Sequence, residues 1–446
     1  MLNRVLIANR GEIAVRIVRA CREMGVTSIA VYSTADAGSL HTRLADESVC
    51  IGPPPPTDSY LNIPSIIAAA EVTDAQAIHP GYGFLSENAK FAKICRDCHI
   101  RFIGPTPEAI ALSGDKSACR QAVHDAGVPV VPGSEGCVKT PDEALAVAQA
   151  VGFPVLIKAA AGGGGKGMRI AHNDASMKHA VAVAMGEAKA AFGDEGIYVE
   201  KVIEEARHVE VQILGDDHGT LISLGERECT IQRRHQKLIE ESPSTALDDD
   251  LRARMEKAAL DAARAINYTN AGTVEFVLDK QGHFYFIEFN ARIQVEHPVT
   301  EEVTDLDLVR EQLRIAAGAP LGYTEAPRRG HAIEARVYAE NPEMNFAPSP
   351  GTIHTCHIPG GPGIRVDTHL YTNCVVSQYY DALLAKVIAH ANTRAKAIER
   401  LSGALEELVT DGVHTTARLC AHMVRSDRFG HGDLGPDLID EHLPSR

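Results

Sequence analysis

The chain has 446 residues, more than the ~100–200 of a typical single domain, so we expect two or three domains. Hydrophobic residues make up 45% of it and charged residues 23%, a composition that excludes a disordered or fibrous protein. The 44 Lys and Arg residues against 59 Asp and Glu residues give a formal net charge of -15. This charge argues against a broad nucleic-acid surface, and an anionic substrate would need a local cluster of cations.

The sequence also predicts where the protein works. No apolar run approaches the ~18 residues of a membrane-spanning helix, and the first residues lack the apolar core of a secretion signal. The ten cysteines are scattered, unlike the disulfide framework of a small secreted domain. Cys95 to His99 match the spacing for haem attachment, but they lie within a predicted helix, and ordinary helix cysteines are the preferred interpretation. We expect a cytoplasmic protein that binds no membrane.

Short apolar strands and helical patterns alternate through residues 1–114, beginning with Val5–Ala8, a helix from Glu12 to Met24, and Ser28–Tyr32. This order is typical of βαβ units and predicts a Rossmann-like parallel sheet with helices on both faces. The turn Asn9–Gly11 lacks the complete glycine fingerprint of dinucleotide-binding proteins, so NAD binding is not supported.

The next segment, residues 115–330, combines helices and strands around a glycine-rich loop. The strand that ends at Lys158 leads into Ala161–Gly167. Such a loop either brings its backbone close to a ligand or connects two strands. From His208 to Asn290, runs of alternating apolar and polar residues predict an antiparallel sheet.

The last segment, residues 331–446, follows a plausible boundary at Pro327–Gly330. Its alternating runs, together with a helix from Thr393 to Leu408, predict a separate α+β subdomain. The whole chain is therefore expected to combine α/β and α+β parts.

Three oxygen-bearing side chains are predicted to converge on two strands. Glu275 lies on one strand, and Glu288 and Asn290 lie two residues apart on the other, hence on the same face. Mg²⁺ is commonly held by one or two carboxylates together with substrate phosphates. The set therefore suits a metal–nucleotide complex, and the alternative is a solvated sheet face that carries acids.

A dense polar run follows this strand. Arg292, Gln294 and Glu296 alternate, and they project to the same side as Asn290 if the chain stays extended. Together with Lys237 they would supply the cationic pocket that an acidic protein needs for an anion. An ordinary surface arginine is the alternative.

The lysines fit neither of the two commonest phosphate-binding motifs. Gly165 and Lys166 are followed by Gly167, where a Walker A loop needs Ser or Thr. A protein kinase places its glycine loop before the strand lysine, but here the glycines follow Lys158. If the chain binds a nucleotide, it therefore does so with a different motif.

A series of motifs runs along the whole chain, and their order is very specific. They are IANRGEIAVRI, HPGYGFLSEN, FIGPTPEAI, GDK, GGGGKGM, RHVEVQ, RRHQK, FYFIEFNARIQVEHPVTE and RGHAIEARVYAE. By these motifs the chain resembles the biotin carboxylases, which are ATP-grasp enzymes, and most closely the free-standing bacterial subunit of acetyl-CoA carboxylase.

The resemblance implies a fold of three parts. They would be a Rossmann-like domain at 1–114, an ATP-grasp region at 115–330 with a mobile glycine-rich lid at about 131–203, and a C-terminal biotin carboxylase subdomain at 331–446. It also implies a reaction of two steps, in which ATP with Mg²⁺ or Mn²⁺ phosphorylates bicarbonate to carboxyphosphate and biotin captures the CO₂ released. The implied partners are a biotin carboxyl carrier protein, carboxyltransferase subunits and a second copy of the chain.

The resemblance further implies the roles of individual residues. The ATP site would comprise Lys116, Lys158, Gly164, Gly165, Glu200, Lys201, Val202, Ile203, His208 and His235. The metal ligands would be Glu275, Glu288 and Asn290, and bicarbonate would bind Lys237, Arg292, Gln294 and Val295. Glu296 would be the general base and Arg336 would steady the biotin enolate, so these two act with Lys237 and Arg292 in catalysis. Tyr82 and Asp381 would lie near biotin or its tether.

Several alternatives stay open. The carboxyl acceptor is acetyl-CoA, propionyl-CoA or pyruvate. Another ATP-grasp ligase, such as a carbamoyl-phosphate or purine-pathway enzyme, should lack RIQVEHPVTE and RGHAIEAR, and a catalytically silent nucleotide-sensing subunit is the alternative outside the enzymes. Lys166 and Ala291 depart from the residues usual in the bacterial subunit, which could alter lid kinetics. On the first helix, Arg16, Arg19 and Glu23 are candidate subunit contacts.

Overall fold

The computed structural model describes residues 2–159, 169–192, 196–435 and 437–443. Gly164, Gly165 and the rest of the predicted glycine loop lie outside these ranges. Within them, none of the helices has the length and apolar character needed to cross a membrane.

The N-terminal part is built on a five-stranded parallel sheet in the order β3-β2-β1-β4-β5. Its elements are β1 (Arg4–Ile7), α1 (Gly11–Glu23), β2 (Thr27–Ser33), α2 (Leu40–Leu44), β3 (Glu47–Gly52), α3 (Ile63–Val72), β4 (Ala77–His79), α4 (Ala89–Asp97), β5 (Arg101–Phe102) and α5 (Pro107–Gly114). The central strands are buried, as expected when helices cover both faces of a parallel sheet. The expected Rossmann-like domain is confirmed.

The strand order reverses between β1 and β4, so their carboxyl ends border a crevice. Ligands of open parallel sheets bind at such a reversal. Asn9 and Arg10 follow β1, and Tyr82 follows β4 after a short turn. This topology brings the turns after β1 and β4 to the edge of one cleft.

A small three-stranded antiparallel sheet, β7-β6-β8, forms the next unit. Helix α6 (Lys116–Asp125) comes first in the chain and packs on α5 rather than on this sheet. The elements of the unit are α7 (Pro141–Val151), β6 (Val155–Ala159), β7 (Arg169–Ala171), α8 (Asp174–Phe192) and β8 (Ile197–Lys201). Apolar side chains of α7, α8 and the strands form a core that belongs to this unit, including Ala148, Val155, Val181 and Val199.

An eight-stranded antiparallel sheet forms the rest of the framework, in the order β13-β12-β9-β10-β11-β14-β21-β19. The elements from residue 207 onward are β9 (Arg207–Gly215), β10 (Leu221–Arg233), β11 (Gln236–Ser242), α9 (Asp249–Ala265), β12 (Asn270–Leu278), β13 (Phe284–Asn290), α10 (His297–Thr304), α11 (Leu308–Ala316), β14 (His331–Tyr338), β15 (Glu340–Asn341), β16 (Ala347–Pro348), β17 (Gly351–Thr352), β18 (Thr355–His357), β19 (Ile364–Thr368), β20 (Val375–Val376), β21 (Leu383–Ala391), α12 (Arg394–Glu407), β22 (Val409–Asp411), α13 (Ala417–Val424), α14 (Asp427–His431) and α15 (Leu438–Glu441).

This large sheet continues across the boundary that the sequence suggests near residue 330. Strand β14 pairs with β11, so that Glu240 lies opposite Glu334, and β14 pairs in turn with β21. Gly330 has a φ of +72°, and a Cβ there would collide with the backbone carbonyl of Ala391. Glycine therefore permits the close approach of the two strands at this point.

Arg16 on α1, one of the three candidate subunit contacts, is buried within the chain. Its guanidinium donates to Glu301 Oε1 at 2.9 Å and to Asp307 Oδ1 at 2.6 Å. These bonds join the first helix to α10 and to the start of α11, about 290 residues further on. Arg19 and Glu23, the other two candidate subunit contacts, are exposed.

We expect Arg16→Met to lower the free energy of unfolding by about 3 kcal/mol, because it removes the buried cation that Glu301 and Asp307 share. Glu301 keeps one ion pair, with Arg365. The matched control is Lys93→Met, which removes one member of an exposed ion pair on α4 and should cost less than about 1 kcal/mol. Urea unfolding at pH 7 measures both variants. Equal losses would contradict the buried role of Arg16.

Candidate active site

A cleft of about 1450 Å³ lies where the three sheets meet. It is bordered by Asn9–Ile13 after β1, by the three-stranded sheet, and by the polar face of the large sheet. Every described residue that the sequence assigns to a site lines it: Tyr82, Lys116, Lys158, Glu200, Lys201, Val202, Ile203, His208, His235, Lys237, Glu275, Glu288, Asn290, Arg292, Gln294, Val295, Glu296, Arg336 and Asp381. Residues from positions 82 to 381 therefore share one cleft.

The proposed metal ligands lie together as the strand pattern predicts. Glu275 and Glu288 are direct cross-strand neighbours on β12 and β13, and the Asn290 amide donates to Glu275 Oε1 at 2.8 Å. Burial and the charge of Glu275 raise the pKa of Glu288, whose nearest lysine, Lys116, is 4.0 Å away. A hard divalent cation bound between these carboxylates would supply the missing positive charge, so the donor set fits Mg²⁺ or Mn²⁺.

Three further lysines line the cleft. Lys116 is the first residue of α6, a place fixed by Asp115, whose side chain caps the helix by accepting from the Ser117 and Ala118 N–H groups. Lys158 on β6 forms an ion pair with Glu200 on β8. Lys201 instead binds backbone carbonyls.

The Lys201 ammonium donates to the carbonyls of Gly152 at 3.1 Å and Phe153 at 2.7 Å. Its side chain therefore fixes the connection between α7 and β6. Residues 200–203 line the cleft.

Lys237 is the central cation of the cleft. Its Nζ lies 2.5 Å from Glu210, 2.6 Å from Glu296 and 3.1 Å from Glu275. Burial alone would lower the pKa of Lys237, but the three carboxylates outweigh it and raise the pKa well above its ordinary value. The lysine is therefore charged, and it connects the metal side of the cleft to Glu296.

Glu275 and its neighbour His208 show the same balance. His208 Nε2 lies 2.8 Å from Glu275 Oε2. Burial favours neutral forms of both, but Lys237 and His208 lower the pKa of Glu275, and Glu275 raises the pKa of His208. Lys237 and His208 thus both favour the ionised form of this carboxylate.

The segment after β13 is a loop rather than a strand, yet its polar side chains meet as expected. Arg292 donates to Gln294 Oε1 at 2.8 Å and to Asn290 Oδ1 at 3.0 Å. Glu87 accepts from Arg292 Nε at 2.8 Å and from the Ala291 N–H at 3.0 Å. Sequence reasoning missed Glu87 as a functional neighbour, although it lies in the quoted motif HPGYGFLSEN.

Glu296 is fully buried and sits at the N-terminus of α10. It lies 2.6 Å from Lys237 and 2.8 Å from Arg336 Nη2. Burial would raise the pKa of this carboxyl, but Lys237, Arg336 and Arg227 outweigh that effect and hold the pKa well below its ordinary value. Glu296 is therefore ionised and able to accept a proton.

Arg336 lies on β14 above two buried carboxyl groups that sequence reasoning missed. Arg336 forms an ion pair with Glu240 on β11. Glu334, which precedes Arg336 by two residues on β14, lies directly opposite Glu240. Burial raises the pKa of Glu240 to about 7 and that of Glu334 well above its ordinary value. No signal in the sequence separates them from ordinary strand residues, because both occur in runs of mixed polar and apolar residues.

Tyr82 and Asp381 line the cleft on its outer side. The Tyr82 hydroxyl donates to Glu12 at the start of α1. Asp381 is exposed and accepts from the Leu383 N–H at 2.8 Å, which shapes the turn before β21. Both residues line the same cleft as Arg336.

Family models match three consecutive segments of the chain. They are the biotin carboxylase N-terminal domain at residues 1–110, the ATP-binding domain of the carbamoyl-phosphate synthase L chain at 115–324, and the biotin carboxylase C-terminal domain at 334–441. The chain belongs to the biotin carboxylase family. It is accordingly an ATP-grasp ligase, and the N- and C-terminal matches argue against a carbamoyl-phosphate or purine-pathway enzyme.

Individual relatives agree with the family models. A biotin carboxylase of Nostoc sp. is 55% identical over 98% of this chain and 99% of its own. The crystal structure of a biotin carboxylase–βγ-ATP complex from Campylobacter jejuni superposes with a TM-score of 0.95 at 46% identity, covering 99% of both chains. The expected ATP-grasp fold is therefore confirmed.

A third match comes from a different carboxylase. The biotin carboxylase domain dimer of Hydrogenobacter thermophilus 2-oxoglutarate carboxylase, solved with MgADP, ADP and bicarbonate, has a TM-score of 0.94 at 45% identity and covers 99% of this chain and 98% of its own. Relatives of this biotin carboxylase thus serve more than one final acceptor.

The raised pKa of Glu240 gives a stability prediction. The folded state holds the Glu240 proton up to about pH 7, whereas the unfolded chain releases it near pH 4.5. Below pH 4.5 the neutral carboxyl makes its full contribution to the free energy of unfolding. This contribution, on the order of 3 kcal/mol, is lost as the pH rises through 7. Glu240→Gln stays neutral, so its melting temperature should rise relative to wild type between pH 5 and pH 8.

Calorimetry at several pH values measures this difference. Glu71→Gln, at an exposed position on α3, provides the baseline for replacing a carboxylate. A difference for Glu240→Gln that follows this baseline at every pH would show that Glu240 is ionised in the folded protein.

Proposed function

We propose that this chain carboxylates biotin on a carrier protein, using ATP and bicarbonate through a carboxyphosphate intermediate. The observation that carries the proposal is the position of Lys237. One buried ammonium contacts Glu275 of the proposed metal site and Glu296 of the proposed proton-transfer site. Phosphoryl transfer and biotin chemistry would then take place within reach of the same charge.

The first step is the transfer of the γ-phosphoryl group of ATP to bicarbonate. Catalysis of this step depends on positioning and on neutralising charge on the moving group. Mg²⁺ or Mn²⁺, when bound at Glu275, Glu288 and Asn290, supplies positive charge to the phosphates. Lys116, Lys158 and Lys237 add cations from the chain itself, and residues 200–203 with His208 and His235, which line the same cleft, would contact the nucleotide.

Bicarbonate would bind between Lys237 and the loop after β13. Hydrogen bonds to Glu87 and Gln294 fix the orientation of the Arg292 guanidinium. A guanidinium held in one orientation is well suited to bind a planar oxyanion. The Gln294 side chain and the backbone at Val295 border the same space. This is the local cationic site that the charge of -15 requires for an anionic substrate.

In the second step, carboxyphosphate releases CO₂ and phosphate, and the ureido nitrogen of biotin attacks CO₂ after losing its proton. Glu296 is the candidate base for proton transfer from bicarbonate or biotin because it is held ionised. Arg336 would stabilise the negative charge that develops on the biotin ureido oxygen. Tyr82 and Asp381 would contact biotin or its tether.

The wider assignment follows the family. We infer that a biotin carboxyl carrier protein and carboxyltransferase subunits act with this chain, and that it forms a homodimer, as the 2-oxoglutarate carboxylase domain does. Acetyl-CoA is our preferred final acceptor, which would give malonyl-CoA for fatty acid synthesis. Propionyl-CoA and pyruvate are the alternatives, and the domain limits 1–114, 115–330 and 331–446, the lid at about 131–203 and the cytoplasmic location stay predictions.

ATP hydrolysis by the purified chain with Mg²⁺, bicarbonate and free biotin tests the activity. We expect hydrolysis that requires bicarbonate and rises with biotin. Glu296→Gln should retain the MgATP-induced rise in melting temperature but lose at least about 100-fold in biotin-dependent hydrolysis, the scale of a lost general base. Glu302→Gln, on the adjacent helix turn, is the matched control.

Either of two results would contradict the proposal. Wild type that binds ATP but shows no biotin stimulation would be a silent nucleotide-binding subunit. Near-normal hydrolysis by Glu296→Gln would remove Glu296 as the base while leaving the overall activity in place.

The metal assignment has its own test. Glu288→Gln removes one carboxylate from the donor set, so we expect the Mg²⁺ concentration for half-maximal hydrolysis to rise about tenfold or more. Hydrolysis titrated with Mg²⁺ at saturating ATP and bicarbonate measures this shift. An unchanged titration would exclude Glu288 as a metal ligand.

A further inference from the structure

Lys386 is a completely buried lysine that neither the sequence motifs nor the proposed mechanism uses. It lies on β21 directly opposite Arg336 on β14, so both side chains point to the same face of the sheet. Two buried cations in cross-strand register repel each other, and such a pair persists only where nearby carboxylates and acceptors hold both. Their partners therefore indicate what the pair does.

The two cations hold consecutive residues of one loop. Arg336 donates to the side chain of Glu296, and Lys386 Nζ donates to the main-chain carbonyl of Val295 at 2.9 Å. Val295 lies between Gln294 and Glu296, in the loop that also carries Arg292. The large sheet thus holds this loop at two points, the Glu296 side chain and the Val295 main-chain carbonyl.

Charge neutralisation alone does not explain the bond to Val295. Lys386 Nζ lies 3.2 Å from Glu12 Oε1, and Asp367, 3.9 Å away, already forms two hydrogen bonds with Arg365. Glu12 would satisfy the ammonium as a counter-ion without any contact to the loop. The bond to the carbonyl is an additional constraint, and it acts on the backbone that borders the proposed bicarbonate site.

We infer that Lys386 is a positioning residue for bicarbonate, which fixes the Val295 carbonyl so that Arg292, Gln294 and Glu296 face Lys237. This role rests on the proposed function. It concerns the bicarbonate-binding loop and not the nucleotide, because the partners of Lys386 lie on α1, β19 and the loop after β13. Loss of this constraint should therefore weaken bicarbonate binding more than ATP binding.

The test compares two variants that differ only at Lys386. Glu12→Gln keeps the lysine and its bond to Val295, and Glu12→Gln/Lys386→Met removes one positive and one negative charge together. We expect the KM for bicarbonate to stay within about twofold of wild type in the first and to rise at least about tenfold in the second, since small misplacements of a binding group have effects of this size. The KM for ATP should change less than about twofold in both.

Bicarbonate-dependent ATP hydrolysis in CO₂-depleted buffer gives both KM values, and the MgATP-induced rise in melting temperature reports folding and nucleotide binding. Arg400→Met is a second control, because Arg400 donates to the His390 carbonyl at the far end of β21 and its loss should not alter the KM for bicarbonate. If the methionine double variant does not fold, Lys386→Gln in the Glu12→Gln background takes its place, since its shorter amide does not reach Val295.

The outcomes separate this inference from the proposed function. An unchanged KM for bicarbonate with a lowered melting temperature would show that Lys386 is only structural. Equal increases in the KM for ATP and bicarbonate would point to general distortion of the cleft and would also overturn the inference. Wild type without bicarbonate-dependent hydrolysis would instead reject the proposed function, and the inference with it.

Discussion

The cleft depends on one interaction, the contact of the Lys237 ammonium with Glu210, Glu275 and Glu296. Buried carboxylates this close together would repel each other and take up protons without a cation between them. With Lys237 in place, Glu275 and Glu296 both stay ionised. Removing this charge would therefore affect the proposed metal site and the proposed base together, although β12 and the loop after β13 place them on separate segments.

The large sheet explains how so many charges are buried without unfolding the protein. In sheet order, the carboxylates Glu275 on β12 and Glu210 on β9 come first, and the cations Lys237 on β11, Arg336 on β14 and Lys386 on β21 follow. Glu240 and Glu334 complete the set with raised pKa values, so together they add less negative charge than two fully ionised carboxylates would. This face of the sheet presents fixed charges to a reaction in which negative charge moves between phosphate, bicarbonate and biotin.

The N-terminal sheet contributes by topology. Its strand order reverses beside β1, so the turns after β1 and β4 carry Glu12, Tyr82 and Glu87 to the edge of the cleft. Glu87 directs Arg292, and Glu12 contacts both Tyr82 and Lys386. The first hundred residues thus support a loop two hundred residues further on.

The sequence alone determined the parallel N-terminal sheet, the antiparallel strands after His208, and the meeting of Glu275, Glu288 and Asn290, because strand alternation fixes which residues share a face. The ordered motifs determined the family. Tertiary structure alone decided that Arg16 is buried, that Glu87 holds Arg292, and that Lys386 reaches the Val295 carbonyl. These contacts join residues separated by about 90 to nearly 300 positions, and local periodicity carries no information on which distant partner a charged side chain meets once the chain is packed.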